Sequence, residues 1–239
     1  MRLIGYITIG YPSISGSSLL AEQYLEGGCD MLEISLPLLN NTEAPYLNDL
    51  MVQAYHACPD YDQHLQAIAE ITRKHPDVPI TILLYDAVAM EIGPEKLAQF
   101  CRDHGIQDVN SPGLSSPEVF AAFQQYDIHI AGLIRAKFTD ADVEEAKTTK
   151  GFVYMTAFAP AEKCRPGYET IAKRVACVRA AGVTSQLYCG GGVRKPEDAA
   201  TVKAAGADGV FLGTSILKLQ GRLELVPTVR QFREAVEDK

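Results

Sequence analysis

Short runs of apolar residues recur along the chain, separated by longer stretches whose apolar positions return every three or four residues. The short runs predict strands over residues 2–9, 29–35, 80–85, 106–111, 128–134 and 152–156, with two more inside 185–193 and 206–216. The longer stretches predict helices over 17–26, 48–57, 62–74, 94–104, 195–205 and 226–237, with others opening near residues 116, 139 and 214 and one running to 181. Eight strands alternating with at least eight helices signal a parallel α/β fold. At 239 residues, without linker or low-complexity tract, the expectation is a single (β/α)8 TIM barrel domain over 1–239.

The last two strands run into glycines. One stretch ends in Cys189-Gly-Gly-Gly-Val193, and the other in Gly213 followed by Thr214 and Ser215. Glycine lets a backbone approach a ligand closely, and a helix start presents unbonded N–H groups. Two such turns side by side predict a cradle for a phosphate, with Gly191, Gly192, Gly213 and Thr214 as its members. The competing explanation is a pair of plain tight turns.

In this architecture the chemistry sits at the C-terminal ends of the strands. His56, His64, His75 and His104 fall on helices or their ends, and His129 on the far face of strand 5. Imidazole catalysis and a histidine-ligated metal are therefore not expected. Glu33 stands out. It interrupts an apolar strand, where alternation places Met31, Glu33 and Ser35 on one face. A carboxylate there is costly to bury, and burial would raise its pKa towards the range an acid/base needs. The alternative is a structural glutamate paired with a lysine or a backbone amide. Arg135 and Lys137 place positive charge after strand 5; they either meet the substrate or pair with Asp140 or Asp142.

Composition narrows the picture. A net charge of −8 argues against general nucleic-acid binding, and against an anionic membrane surface. No apolar run approaches the length that spans a bilayer. Met1 leads almost directly into a strand, so no signal peptide is expected. The six cysteines make no Cys-x-x-Cys pair, so neither zinc nor a redox centre is supported. A cytoplasmic protein with reduced thiols and no metal or other cofactor is the expectation.

Several segments resemble the tryptophan synthase alpha subunit family: residues 6–12, 28–37, 82–85, 189–193 and 206–216, in order along the chain. The resemblance implies a (β/α)8 barrel that cleaves indole-glycerol phosphate by retro-aldol chemistry to indole and glyceraldehyde 3-phosphate. It places Glu33 on the family's acid/base glutamate, and Gly192, Gly213 and Thr214 on its phosphate-binding positions. Tyr85 and Tyr154 match pocket tyrosines, and Tyr6 and Leu83 match apolar positions around the indole.

The chain also departs from that family. The loop after strand 2 is one residue shorter, and Glu43 is the candidate to replace the family's second carboxylate, an aspartate. Gly113 stands where an aspartate is typical, and Asn110 replaces a leucine of the indole pocket. A polar Asn110 beside added cations points to a more oxygenated or more anionic substrate. A beta-type partner subunit follows from the resemblance, but the loop it would meet is changed here. The expected activity is a carbon–carbon lyase acting on indole-glycerol phosphate or a more polar phosphorylated relative, with Glu33, Glu43 and Tyr85 moving protons. The alternatives are a phosphosugar isomerase or epimerase, an aldolase forming a Schiff base on Lys137 or Lys163, and a non-catalytic alpha-like partner subunit.

Overall fold

The computed structural model describes residues 1–39, 45–111 and 115–237, the side chains of residues 45 and 46 excepted. In chain order the elements are β1 (Arg2–Thr8), α1 (Ile14–Glu26), β2 (Met31–Ser35), α2 (Pro45–Ala57), α3 (Tyr61–Lys74) and β3 (Ile80–Leu83). Then follow α4 (Asp86–Ile92), α5 (Pro94–Asp103), β4 (Asp108–Asn110), α6 (Pro117–Gln125), β5 (His129–Ile130), β6 (Gly132–Ile134) and α7 (Asp140–Thr148). The chain continues through β7 (Val153–Thr156), α8 (Ile171–Ala180), β8 (Leu187–Gly190), α9 (Pro196–Ala204), β9 (Gly209–Leu212), α10 (Thr214–Leu217) and α11 (Leu225–Val236). The fold class is the (β/α)8 barrel. It forms two compact units, one of Tyr6–Leu25 and Met31–Ile130, the other of Met1–Gly5, Glu26–Asp30 and Ala131–Lys239.

In the first unit β2, β3, β4 and β5 pair in that order, all parallel. The register sets Glu33 opposite Thr81, Ser35 opposite Leu83, and Leu83 opposite Asn110. Leu32, Ile34, Ile82, Val109 and Phe123 are fully buried, each worth roughly 1.5–3 kcal/mol of transfer free energy. Helix starts follow local chemistry. Asp60 caps α3 by accepting from the Asp62 N–H at 2.9 Å, and the Ser116 hydroxyl accepts from Val119 ahead of Pro117.

In the second unit β1, β9, β8, β7 and β6 pair in order, again parallel. Val153, Met155, Leu187, Val210 and Leu212 form the buried strand layer, and Val229 and Phe232 of α11, which packs on α9, are buried as well. Thr139 caps α7 and Thr170 caps α8, each through its hydroxyl.

Two expectations need correction. The run predicted as one strand over 128–134 is two: β5 pairs with β4, and β6 pairs with β7. Ala131 lies between them, outside both pairings. Strand 3 also stops at Leu83, and Tyr85 is the N-cap of the additional helix α4. Asp86 opens that helix, and its carboxylate accepts from Ser115 N, Ser115 Oγ and Ser116 N. This tie between two loops is invisible to periodicity.

Candidate active site

The first unit gathers polar side chains from three parallel strands. Glu33 on β2 is 5% exposed, and Asn110 on β4 donates its Nδ2 hydrogen to Glu33 Oε1 at 2.7 Å. Burial pushes the Glu33 carboxyl up to about 7, opposed by the Asn110 hydrogen bond. No cation pairs with it among the described residues. The lysine or backbone-amide partner of the structural alternative is replaced by a side-chain amide. A carboxyl in this state is close to half protonated at neutral pH, so it can give or take a proton.

Tyr6 on β1 is buried, and its hydroxyl lies 2.8 Å from Ser35 Oγ and 3.2 Å from Thr8 Oγ1. Burial holds the phenol well above its usual pKa, so it stays neutral. The position matched to an apolar indole contact thus carries a satisfied hydroxyl network. Thr8 and Ser35 were not singled out from the sequence. The available signal was their spacing, two residues from Tyr6 and Glu33 on the same strand faces. Leu83 is buried in β3 between Ser35 and Asn110 in register. Tyr85 is half-buried just after it. Glu43 and Gly113 lie outside the described residues.

The second unit holds the glycine turns. Strands β8 and β9 are neighbours, and Ser215 Oγ donates to the Val193 carbonyl at 3.1 Å, tying the two turns together. Gly191 and Gly192 both have positive φ, +76° and +78°, which non-glycine residues rarely adopt. A Cβ on Gly192 would sit 2.7 Å from Phe158 Cβ, and one on Gly190 2.7 Å from the Tyr154 hydroxyl. Tyr154 therefore borders the glycine turn. A Cβ on Gly213 would meet nothing within 4 Å, so the backbone there faces open space.

Asp198 turns back and accepts from Arg194 N and Lys195 N at the start of α9. These two amides lie just ahead of Pro196, the first residue of the helix. The Gly191–Gly192 turn and the opening of α10 at Thr214 are further candidates to hold an anion. That helix is a single short turn, so its macrodipole contributes little. Arg135 is exposed and pairs with Asp142 at 3.6 Å, and Lys137 is exposed on the same loop. Asp140 is taken by Arg165 at 2.5 Å. Among the described residues no group of His, Cys, Asp and Glu could hold a metal ion.

A parallel (β/α)8 fold with a buried carboxyl pushed up towards neutrality is an arrangement used by acid/base enzymes. The comparisons with known proteins narrow this class. The family model described as tryptophan synthase alpha chain matches residues 1–235. The tryptophan synthase alpha chain of Aquifex aeolicus is 26% identical, over 99% of this chain and 93% of that protein. The one of Caldicellulosiruptor saccharolyticus is 28% identical, over 98% and 92%. A solved structure from Aquifex aeolicus superposes with a TM-score of 0.87 at 24% identity, covering 99% of this chain and 93% of that one. The crystal structure of the tryptophan synthase alpha chain from Legionella pneumophila gives 0.82 at 20% identity, covering 98% and 91%. The chain belongs to the tryptophan synthase alpha chain family, and is a lyase-type enzyme acting on a phosphorylated substrate. Among the described residues no helix is long and apolar enough to cross a membrane.

Proposed function

We propose that the protein cleaves a carbon–carbon bond by retro-aldol chemistry, in indole-3-glycerol phosphate or a more polar phosphorylated relative. The observation that carries this reading is the buried Glu33 carboxyl, poised near neutrality against Asn110. In such a cleavage the carbon that leaves with the bonding pair must gain a proton. The hydroxyl on the other carbon must lose one as its carbonyl forms. Glu33 serves one of these transfers, with Glu43 or Tyr85 as the partner group. General acid–base help of this kind is worth roughly 100- to 10,000-fold. Gly191, Gly192, Gly213 and Thr214 hold the phosphate, and binding energy there contributes to positioning the reacting carbons.

The more polar relative is favoured by a specific feature. Asn110 and Tyr6 put an amide and a hydroxyl where the family resemblance implies apolar indole contacts, although the Tyr6 hydroxyl is taken up by Thr8 and Ser35. Tyr6, Leu83 and Tyr154 remain as ring and aliphatic contacts, and Arg135 and Lys137 as cations for an oxygenated group. A beta-type subunit is the partner this reading implies, and unpaired cysteines fit a cytoplasmic enzyme.

The deciding assay incubates the protein with indole-glycerol phosphate and follows indole and glyceraldehyde 3-phosphate separately, with Glu33→Gln in parallel. Equal release of both, lost in Glu33→Gln, supports the lyase on that substrate. Conversion without an increase in the number of molecules would replace it by an isomerase. A borohydride-trapped adduct would replace it by a Schiff-base aldolase.

A further inference from the structure

The largest fully buried side chain is a cation. Arg174 of α8 is 0% exposed, and among the described residues no carboxylate pairs with it. A buried unpaired charge is costly and calls for compensation. Its partners are neutral. Nη1 meets Tyr168 O at 3.2 Å and Cys164 Sγ at 3.7 Å, and Nη2 meets Thr156 O at 3.0 Å and Ala157 O at 2.5 Å. Nε has no partner.

The two carbonyls gripped by Nη2 belong to consecutive peptide groups, 156–157 and 157–158. The N–H of each group is used as well. Ala157 N donates to Gly190 O at 2.5 Å, and Phe158 N donates to Gly191 O at 3.0 Å. Those carbonyls belong in turn to the peptides whose N–H groups are Gly191 and Gly192. In a planar trans peptide the C=O and N–H point in opposite directions. Two parallel chains therefore run from one guanidinium, each through two peptide groups, to two outward-facing N–H groups on the glycine turn. Hydrogen bonds linked in this way polarise one another, and a cation at one end strengthens the donors at the other. The charge is also felt along β8: Arg174 is the leading charge holding down the Cys189 thiol, which burial pushes up to about 12.

We propose that Arg174 is a positioning residue for anion binding, orienting and polarising the Gly191 and Gly192 N–H groups through two peptide relays without touching the anion. This rests on the reading of the glycine turns as a phosphate cradle. It also accounts for a buried cation with no carboxylate partner among the described residues, since the compensating charge arrives with the phosphate.

The test is calorimetric titration with inorganic phosphate at pH 8, on the wild type, Arg174→Lys and Arg174→Gln, with thermal unfolding of each. Arg174→Gln, which keeps hydrogen-bond donors and drops the charge, is expected to bind about tenfold more weakly, the scale of one charge acting through protein. Arg174→Lys keeps the charge and is expected within about threefold of wild type. A folded Arg174→Gln that binds phosphate like the wild type overturns the proposal and leaves the cradle standing. Should that variant not fold, amide NMR of the wild type decides. Phosphate must then shift the Ala157 and Phe158 amide protons together with those of Gly191 and Gly192, and shifts confined to the glycines overturn the relay. A wild type that shows no saturable phosphate binding removes the cradle, and the relay with it.

Discussion

Asn110 on β4 holds the carboxylate of Glu33 on β2 through a 2.7 Å hydrogen bond. The two lie 77 positions apart in the chain, and β3 runs between their strands. The bond favours the charged form, whereas burial favours the neutral one. Replacing Asn110 by leucine removes the first influence and leaves the second. The pH–rate limb assigned to Glu33 should then move upward by about one pH unit, the size of one hydrogen bond to a charged group. Profiles of kcat/KM for wild type and Asn110→Leu check this, and a limb that stays in place would detach Glu33 from the rate.

The same pair makes a prediction about stability. The Glu33 carboxyl moves from 4.5 to about 7 on folding, so between those values the folded chain binds more protons than the unfolded one. Stability from this group therefore falls as pH rises from about 4.5 to about 7, and is level above that. The cost of the charged form is on the order of 3 kcal/mol at most. Glu33→Gln should raise the urea midpoint at pH 8 and lose that advantage towards pH 4.5. Equal midpoint shifts at both pH values would contradict a raised carboxyl.

Much of this arrangement was legible beforehand. Glu33 was visible because a charged residue interrupts an apolar strand, and the glycine turns because strand patterns end in them. The polar network around Glu33 was less visible. Tyr6, Thr8 and Ser35 each look ordinary in a strand, and only β1 lying beside β2 brings their hydroxyls together. Arg174 could not be read at all. A lone arginine among Lys173, Cys177 and Arg179 has the pattern of a solvated helix face. Its burial goes with the carbonyls of Thr156, Ala157 and Tyr168, which hydrogen-bond its guanidinium. For Arg135 the sequence left two readings open, a substrate cation or a partner of Asp140 or Asp142, and the structure adds the Asp142 contact at 3.6 Å.

The glycine turn separates conformation from function. Alanine at Gly192 would need φ near +78° and would place its Cβ 2.7 Å from Phe158. The backbone alone costs about 1–3 kcal/mol, so Gly192→Ala should lower the thermal midpoint as well as phosphate affinity. Thr214 is exposed at the start of α10, and Thr214→Val keeps its shape. That variant should change stability by less than about 0.5 kcal/mol, yet weaken phosphate binding. Unfolding scans with and without phosphate separate the two effects.

Arg135 is more than half exposed, whereas its partner Asp142 is largely covered. Exposed pairs of this kind are worth about 0–1 kcal/mol. Arg135→Ala should therefore leave the unfolding midpoint close to wild type. If Arg135 also contacts an oxygenated substrate, KM rises while kcat holds, because the contact is equal in ground and transition states. Unchanged KM would assign it to the Asp142 pair alone.

His64 offers a titration opposed to that of Glu33. It is fully buried on α3, its Nε2 lies 2.7 Å from Cys58 O, and its ring packs on Gly10, where a Cβ would come within 2.4 Å of Cε1. Burial lowers its pKa from 6.5, so below that value the unfolded chain binds the extra proton first. Stability from His64 is present above pH 6.5 and is lost as pH falls beneath it, whereas the Glu33 contribution grows over part of the same interval. Near pH 6 the two slopes oppose each other, so the wild type should change less with pH there than either single variant. His64→Leu leaves the Cys58 carbonyl unpaired, which costs about 1–3 kcal/mol at every pH. It also removes the acid-side loss, so the Glu33 slope should emerge and stability should rise on going from pH 7 to pH 5. Glu33→Gln should do the reverse and expose a fall over the same range. Urea midpoints of the two variants at half-unit steps of pH read both signs directly, and parallel profiles would refute the opposition.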